Sequence, residues 1–291
     1  GGNDFSKGDL TMRKVLLATT ALVAITGVTA AHADISISGN IEFEYETTED
    51  ADAVMSTDGQ LIISSSMTAD SGVTYGVTHA RKMETSGVDQ FNATISSPEF
   101  GMISLGNAND NGPGMIDGSL GRNNDIESER HYSAAGLAWE TAITGLGTNM
   151  ATYVSPSFGG LTVAASTNSN TDTAGFGARY SMSGVEVYFG SSEDQQNMGV
   201  KTSLAGFTLA VGSKKTDGTT AKASDVALKY TMDNGITLAA LSASGTDSAS
   251  AKRKYKNYGA KYTIAPGVAV KIETGDADGT KYTYTSFDIN F

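Results

Sequence analysis

Cysteine is absent from all 291 residues. That removes disulfides, thiolate nucleophiles and Cys-type zinc sites together. Proline is scarce, with four residues, and tryptophan occurs once. Positive charge is outnumbered, 20 Lys and Arg against 32 Asp and Glu, for a formal charge of -12. That balance argues against nucleic acid, because a duplex binder must supply a positive face. Beyond the N-terminus no apolar run approaches the ~20 residues of a spanning helix. A chain of this kind can live in a bilayer as a closed barrel, since lipid tolerates no unpaired strand edge. Disorder is excluded as well: Val, Ile, Thr, Tyr and Phe recur throughout, whereas disordered chains are poor in them.

The N-terminal residues read as targeting rather than fold. Met12-Arg13-Lys14 opens a short positive region and an apolar run follows from Val15 to Val28. Ala31-His32-Ala33 closes it as a small-x-small cleavage signal, so residues 12–33 are expected to be a signal peptide and Asp34 the mature start. Residues 1–11 precede Met12; we read them as translated upstream DNA, since Lys7-Gly8-Asp9 can be encoded by a purine-rich ribosome-binding stretch. Loss of residues 1–33 removes Lys7, Arg13 and Lys14 but also Asp4 and Asp9, leaving the chain one unit more acidic.

What is present from Asp34 onward is alternation in segments of about ten residues, the pattern of membrane strands. In the last segment Phe287, Ile289 and Phe291 take every second position, with Asp288 and Asn290 between them. In the first, Ile35, Ile37, Ile41, Phe43 and Tyr45 alternate with Ser36, Ser38, Asn40, Glu42 and Glu44. An internal repeat lies between. Gly177–Val185, Gly199–Phe207, Ala227–Ile236 and Gly259–Val268 each read as strand, tight Gly-containing turn and returning strand. Short turns alternate with polar connections such as Lys214–Ala221, Ser244–Arg253 and Gly275–Thr280. Counting segments predicts an all-β, antiparallel transmembrane barrel of about sixteen strands over residues 34–291. An even number lets first and last strands pair antiparallel. Tyr180, Tyr230 and Tyr262 recur just before the short turns, where an interfacial aromatic girdle belongs. From 108 to 147 the alternation lapses, far beyond an ordinary connection. That third long loop holds Asp110, Asp117, Asp125, Glu127 and Glu129, with Arg122 and Arg130 among them.

These residues resemble the Gram-negative general porins, especially the alphaproteobacterial ones. The resemblance spans the chain from Asp34-Ile35-Ser36-Ile37-Ser38-Gly39 to Phe291. Its specific stretches are Asp70–Gly76, Glu99–Gly106 and Tyr153–Leu161. It implies a sixteen-stranded barrel, usually a homotrimer, exported through the periplasm to the outer membrane of a Gram-negative bacterium. It implies that loop 108–147 folds into the lumen as a constriction, and that barrel-assembly machinery reads the C-terminal signal Phe287, Ile289 and Phe291. Outer-membrane lipid and lipopolysaccharide are the implied surroundings. The implied function is passive diffusion of ions and small hydrophilic solutes through a water-filled channel, with no cofactor. One departure stands out: such porins often end the strand before the third loop in Gly-Arg, and here it ends Gly106-Asn107.

Positive charge has another source. Arg179, Lys201, Lys229 and Lys261 fall on the parity opposite the apolar residues of the four repeats, so all four are expected to face the lumen as a basic band. Set against the acidic third loop, such a band would impose a transverse field on passing solutes. The plainer reading is that these bases pair with lumenal acids such as Glu186 and Glu273 at a gain of about 0–1 kcal/mol. Enzyme chemistry has little to stand on. After signal removal His79 and His131 remain, neither with metal spacing, and His131 beside Glu129 and Ser133 is proximity in sequence, not a triad. Acidic loops would offer Ca²⁺ oxygen ligands, but no EF-hand or RTX repeat is present. The competing function is a non-conducting surface barrel whose loops bind an external partner.

Overall fold

A strand with one apolar and one polar face presents them on opposite sides of a sheet, and a sheet of such strands can close with the apolar face outward. The computed structural model describes residues 33–83, 88–107, 150–168, 172–192 and 194–291. The first strands are β1 (Asp34–Thr48), β2 (Val54–Thr68), β3 (Thr74–Lys82), β4 (Val88–Ser97) and β5 (Gly101–Asn107). They are followed by β6 (Met150–Val154), β7 (Leu161–Asn168), β8 (Thr173–Met182), β9 (Val185–Ser192) and β10 (Gln195–Leu204). The last are β11 (Phe207–Thr216), β12 (Lys222–Thr231), β13 (Ile236–Thr246), β14 (Lys252–Ala265), β15 (Val268–Ala277) and β16 (Thr280–Asn290). Each pairs antiparallel with its sequence neighbours, and β1 pairs with β16, so the sixteen strands form one closed barrel.

Tight turns set the register at one end. Ser183-Gly184 (φ 51° and 79°) and Ala205-Gly206 (φ 51° and 82°) are positive at both central positions, the type I′ geometry whose twist matches that of flanking strands. At the other end the connections are shorter than composition alone suggests. β11 runs on to Thr216 and β12 resumes at Lys222; β13 reaches Thr246 and β14 starts at Lys252; β15 ends at Ala277 and β16 begins at Thr280. Here the outward residues turn polar while backbone pairing continues, because a strand standing in water needs no apolar face. The third loop, with Asp110, Asp117, Asp125, Glu127 and Glu129, lies outside the described residues, as does the segment before Ala33.

Burial is inverted relative to a water-soluble protein. Ile37, Phe43, Val77, Phe176, Leu209 and Ile272 are exposed, while Glu44, Asn92, Ser104, Asn257, Lys271 and Glu273 are buried. Large apolar side chains therefore cover the outer wall, and the inner wall carries Ala, Ser, Asn, Tyr and charge. This is the distribution a lipid-facing barrel requires.

Closure has a specific latch. Gly39 N–H donates to the Phe291 carbonyl at 2.9 Å and Phe291 N–H to the Gly39 carbonyl at 3.0 Å. The Phe291 ring lies over Gly39 on the outer wall: a Cβ there would stand 2.9 Å from Phe291 Cζ and press on the Gln60 carbonyl oxygen. Gly39→Leu is expected to lift the ring and destabilise the barrel by about 1–3 kcal/mol. The check is a lower unfolding temperature of the refolded barrel in semi-native electrophoresis; an unchanged temperature would show that the latch tolerates a side chain.

Candidate functional site

The inner wall is read from parity and burial together. On β8 the exposed Phe176 and Tyr180 define the outside, which leaves Gly175, Gly177 and Arg179 inside. The same test places Lys201 with buried Asn197 on β10, Lys229 with buried Ala227 on β12, and Lys261 with buried Asn257 on β14. Their register is regular. Arg179 stands opposite Tyr188, which stands opposite Gly199, two residues short of Lys201. Lys201 leads through Ala210 to Ala227, two short of Lys229. Lys229 leads through Ala239 to Gly259, two short of Lys261. A constant drift of this kind is what strand tilt produces in residues at similar height.

Carried one step further, the drift passes from Lys261 through Lys271 and Ser286 and arrives at Asp288 on β16. The sign of the wall changes there. Inward residues of β15, β16, β1 and β2 include Glu273, Asp288, Glu42, Glu44, Glu46 and Asp58. On β8 to β14 the inward charges are Arg179, Lys201, Lys214, Lys229, Arg253 and Lys261, against Glu186 and Asp225 among the described residues. In a ring of sixteen, β16 stands eight strands round from β8. Among the inward side chains of β3 to β7, Thr78, Asn92, Ser104, Thr152, Ser166 and Asn168 are uncharged, and Lys82 at the end of β3, opposite Gln60, is basic.

The two halves differ in how their charges are held. Glu186 receives Lys201 at 3.3 Å and Arg179 at 3.8 Å, with the bases 40% and 33% exposed. Glu273, the other acid considered as a partner, accepts from Asn257 Nδ2 at 2.8 Å. The seam across β14, β15, β16, β1 and β2 is denser. Lys271 Nζ lies 2.9 Å from Asp288 and 3.3 Å from Glu42, with 8% of its side chain exposed. Tyr284 Oη donates to Glu42 at 2.9 Å and Glu44 at 3.1 Å, and Ser56 Oγ also donates to Glu44. Ser286 Oγ donates to Asp288 at 2.8 Å. The Tyr255 and Tyr282 hydroxyls meet at 2.8 Å, and Asn257 Nδ2 donates to Tyr282 at 2.6 Å. Sequence reasoning missed Lys271 as a lumenal charge. Its signal was local: Val270 and Ile272 flank it in a segment that alternates.

On the outer wall Tyr180 and Tyr262 are exposed, and Tyr230 stacks on Phe207 with ring centroids 4.2 Å apart. Phe287 and Phe291 also face out, with Ile289 sharing their parity. Arg253 at the loop end is clamped by Asp247 at 2.9 Å and Asp278 at 2.6 Å. The Ala251 N–H, followed by the Arg253 guanidinium, holds the Asp247 carboxyl below its ordinary range; Arg253 does the same for Asp278.

Comparison with known proteins agrees with this architecture. A family model described as Gram-negative porin matches residues 18–289. Solved structures of mutants of the Rhodopseudomonas blastica porin are similar in fold. One superposes with a TM-score of 0.72 at 17% identity, covering 88% of this chain and all of that one. Another gives 0.71 at 16% identity with the same coverage. A structure from work on asymmetric conductivity of engineered proteins gives 0.70 at 16%, covering 89% of this chain and all of that one. No curated protein matches the sequence.

The seam and the basic band should respond differently to charge removal. Lys271→Met leaves half-buried Glu42 and buried Asp288 without their cation and is expected to cost about 3–5 kcal/mol. Lys201→Gln removes a partly exposed pair and should cost less than about 1 kcal/mol. Guanidinium unfolding of the refolded barrel in detergent separates them, and equal costs would reduce the seam to another solvated pair.

Proposed function

The chain belongs to the Gram-negative porin family and is an outer-membrane channel for passive diffusion of solutes; from that premise we propose that its own walls sort those solutes by charge. The observation that carries the reading is the uneven distribution of lumenal charge around the ring: bases predominate on β8 to β14, with Glu186 and Asp225 among them, and acids on β15 to β2, with Lys271 among them. A polar solute crossing between them meets a lateral field. It aligns its dipole and keeps its apolar flank off both walls, as rows of pore-lining charge do in channels generally. Arg179, Lys201, Lys229 and Lys261 are the basic electrode of this arrangement. The opposing acids are supplied by Glu42, Glu44, Glu46, Asp58 and Asp288. Asp110, Asp117, Asp125, Glu127 and Glu129 of the third loop add acidity to the path in this proposal, with 108–147 as the constriction. Because acids exceed bases over the whole chain, the expected preference is mildly cationic.

The finer biology is proposed on the same premise. Residues 12–33 direct export through the periplasm, the mature barrel begins at Asp34, and Phe287, Ile289 and Phe291 are read during assembly by the barrel-assembly machinery. We propose a homotrimer. His79 and Arg81 support it: they share outward parity with exposed Tyr75 and Val77 on β3, where His79 meets Phe91 edge-on at 6.0 Å. A wall given wholly to lipid would favour apolar residues at those positions. Tyr180, Tyr230 and Tyr262 act as an interfacial girdle at the turn end.

Single-channel recording of the refolded chain Asp34–Phe291 in a planar bilayer under a salt gradient tests the field. The wild type should give ohmic steps with a reversal potential on the cation side. Exchanging Arg179, Lys201, Lys229 and Lys261 for Gln together should move the reversal potential further in that direction. No movement would remove the basic band from the selectivity of the pore, and an inserted barrel that never conducts would favour the surface-binding alternative.

A further inference from the structure

Arg179 of β8, Tyr188 of β9, Gly199 of β10, Gly212 of β11 and Asp225 of β12 stand opposite one another in turn, one row across the sheet. All are on the inward parity. Side chains in strands ordinarily stand roughly perpendicular to the sheet, and an upright tyrosine would project into the lumen. Tyr188 does not stand upright. A Cβ on Gly199 would run into its Cε1 and stand 3.0 Å from its Cζ, and a Cβ on Gly212 would stand 3.6 Å from its hydroxyl oxygen. The ring therefore lies along the row, crossing β10 and pointing its hydroxyl toward β11. Asp225 approaches from the far side, with carboxylate oxygens 3.2 and 3.4 Å from the same point over Gly212. Two side chains thus fill the space of four inward positions, and the ring is packed into the wall with 7% of the residue exposed.

Neither glycine is at positive φ, so backbone conformation does not demand glycine at either position. Glycine within a strand weakens it and marks a close approach. At Gly212 the approaching atoms are those of Asp225 and Tyr188; at Gly199 they are the Tyr188 ring and the Val211 carbonyl oxygen, 2.8 Å from a Cβ. The arrangement recurs on β16. Tyr282 lies over Gly275 of β15, where a Cβ would stand 2.6 Å from its Cε1, and its hydroxyl accepts from Asn257 on β14. Beside the basic band the consequence is one of width. Gly199 and Tyr188 are each two residues from a charge of that band's ion pair, Lys201 and Glu186. The row is closed by Arg179 at one end and Asp225 at the other. Val187, Phe189, Val200 and Val211 occupy the outer face, so the room left to a ring displaced from its glycines is the lumen.

We propose that Tyr188 is a size-determining residue of this channel: held flat on Gly199 and Gly212, it keeps the passage beside Arg179 and Lys201 wide enough for neutral solutes larger than a monosaccharide. Pore diameter selects by size as lining charge selects by sign. The inference rests on the channel reading and adds a limit of size to the sorting by charge.

The test is swelling of liposomes that contain refolded Asp34–Phe291, with glucose and sucrose as neutral probes. Wild type should admit both. Gly199→Ala should lower the rate for sucrose relative to glucose by about threefold or more. In a Tyr188→Ala background the same substitution should change nothing, because the ring it would lift is gone; such a cycle isolates the coupling of the two positions. Since Gly199→Ala also crowds the Val211 carbonyl, Gly212→Val serves as a second variant that meets side chains alone, with the same loss expected. Heat-modifiable migration establishes that each barrel has folded. An unchanged sugar ratio in folded Gly199→Ala and Gly212→Val, or an equal loss with and without Tyr188, would overturn the proposal. Neutral probes do not feel the lumenal field, so the outcome is independent of the band's part in ion selectivity. A wild-type barrel that admits neither sugar would overturn the diffusion reading and this inference with it; one that admits both and ignores the ring overturns this inference alone.

Discussion

Hydrocarbon offers a backbone amide no partner, so every N–H and C=O within the membrane must be satisfied by the protein. For a strand-built chain the solution is a ring, and the ring exists because β1 finds β16. Everything else hangs from that pairing. It brings the start of the barrel against Phe291 and sets Glu42 and Glu44 beside Tyr284 and Asp288. Strands that are neighbours by sequence could pair through local hairpins. The seam joins residues far apart in the chain and carries the largest loop-closure cost. The polar contacts there fit that burden, since Lys271 and Tyr284 tie β15 and β16 to Glu42 and Glu44 of β1 by side chains in addition to the ladder.

The same constraint explains why charge behaves in two ways inside one lumen. Where the wall is open, as around Glu186, carboxylate and cation remain partly exposed and attract weakly. At the seam, Lys271, Glu42 and Asp288 are largely removed from solvent and hold each other together with Tyr284 and Ser286. Water-filled channels need mobile, hydrated charge to act on solutes. A closing seam needs fixed charge. Both kinds are lumen-facing, and parity alone does not tell them apart.

That is also the boundary of what the sequence could reveal. Period-two alternation made the strand number and class legible, because a barrel wall is one residue thick and each side chain has a single side to choose. Glycine-containing turns at 183–184 and 205–206 fixed hairpin positions through a purely local demand for positive φ. The lumenal parity of Arg179, Lys201, Lys229 and Lys261 followed from the same arithmetic. What escaped was everything that depends on two distant strands meeting. Lys271 acquires its partners from β1 and β16, and no pattern within β15 announces them. The upper ends of β11, β13, β14 and β15 were also read as connection, since Lys214–Thr216, Ser244–Thr246, Lys252–Arg253 and Gly275–Ala277 break the apolar rhythm although the ladder continues. Hydropathy reports the solvent outside the wall, and above the membrane that solvent is water.

Concentrating bases on β8 to β14 invites self-repulsion, and the register shows how it is kept small. The four bases of the band stand on alternate strands, about 10 Å apart across the sheet, close to the Debye length of roughly 8–10 Å at physiological salt. Each therefore feels its neighbour weakly. Glu186 lies between the first two and draws both toward it. Lys261 of the band stands opposite a like charge, Lys271, in the register, a separation of about 5 Å. There Lys271 engages Asp288 and Glu42, so its charge is spent on the seam and Lys261 is left to the pore. Alternate-strand spacing and a seam that consumes the extra lysine are what allow a net-acidic chain to maintain a basic wall.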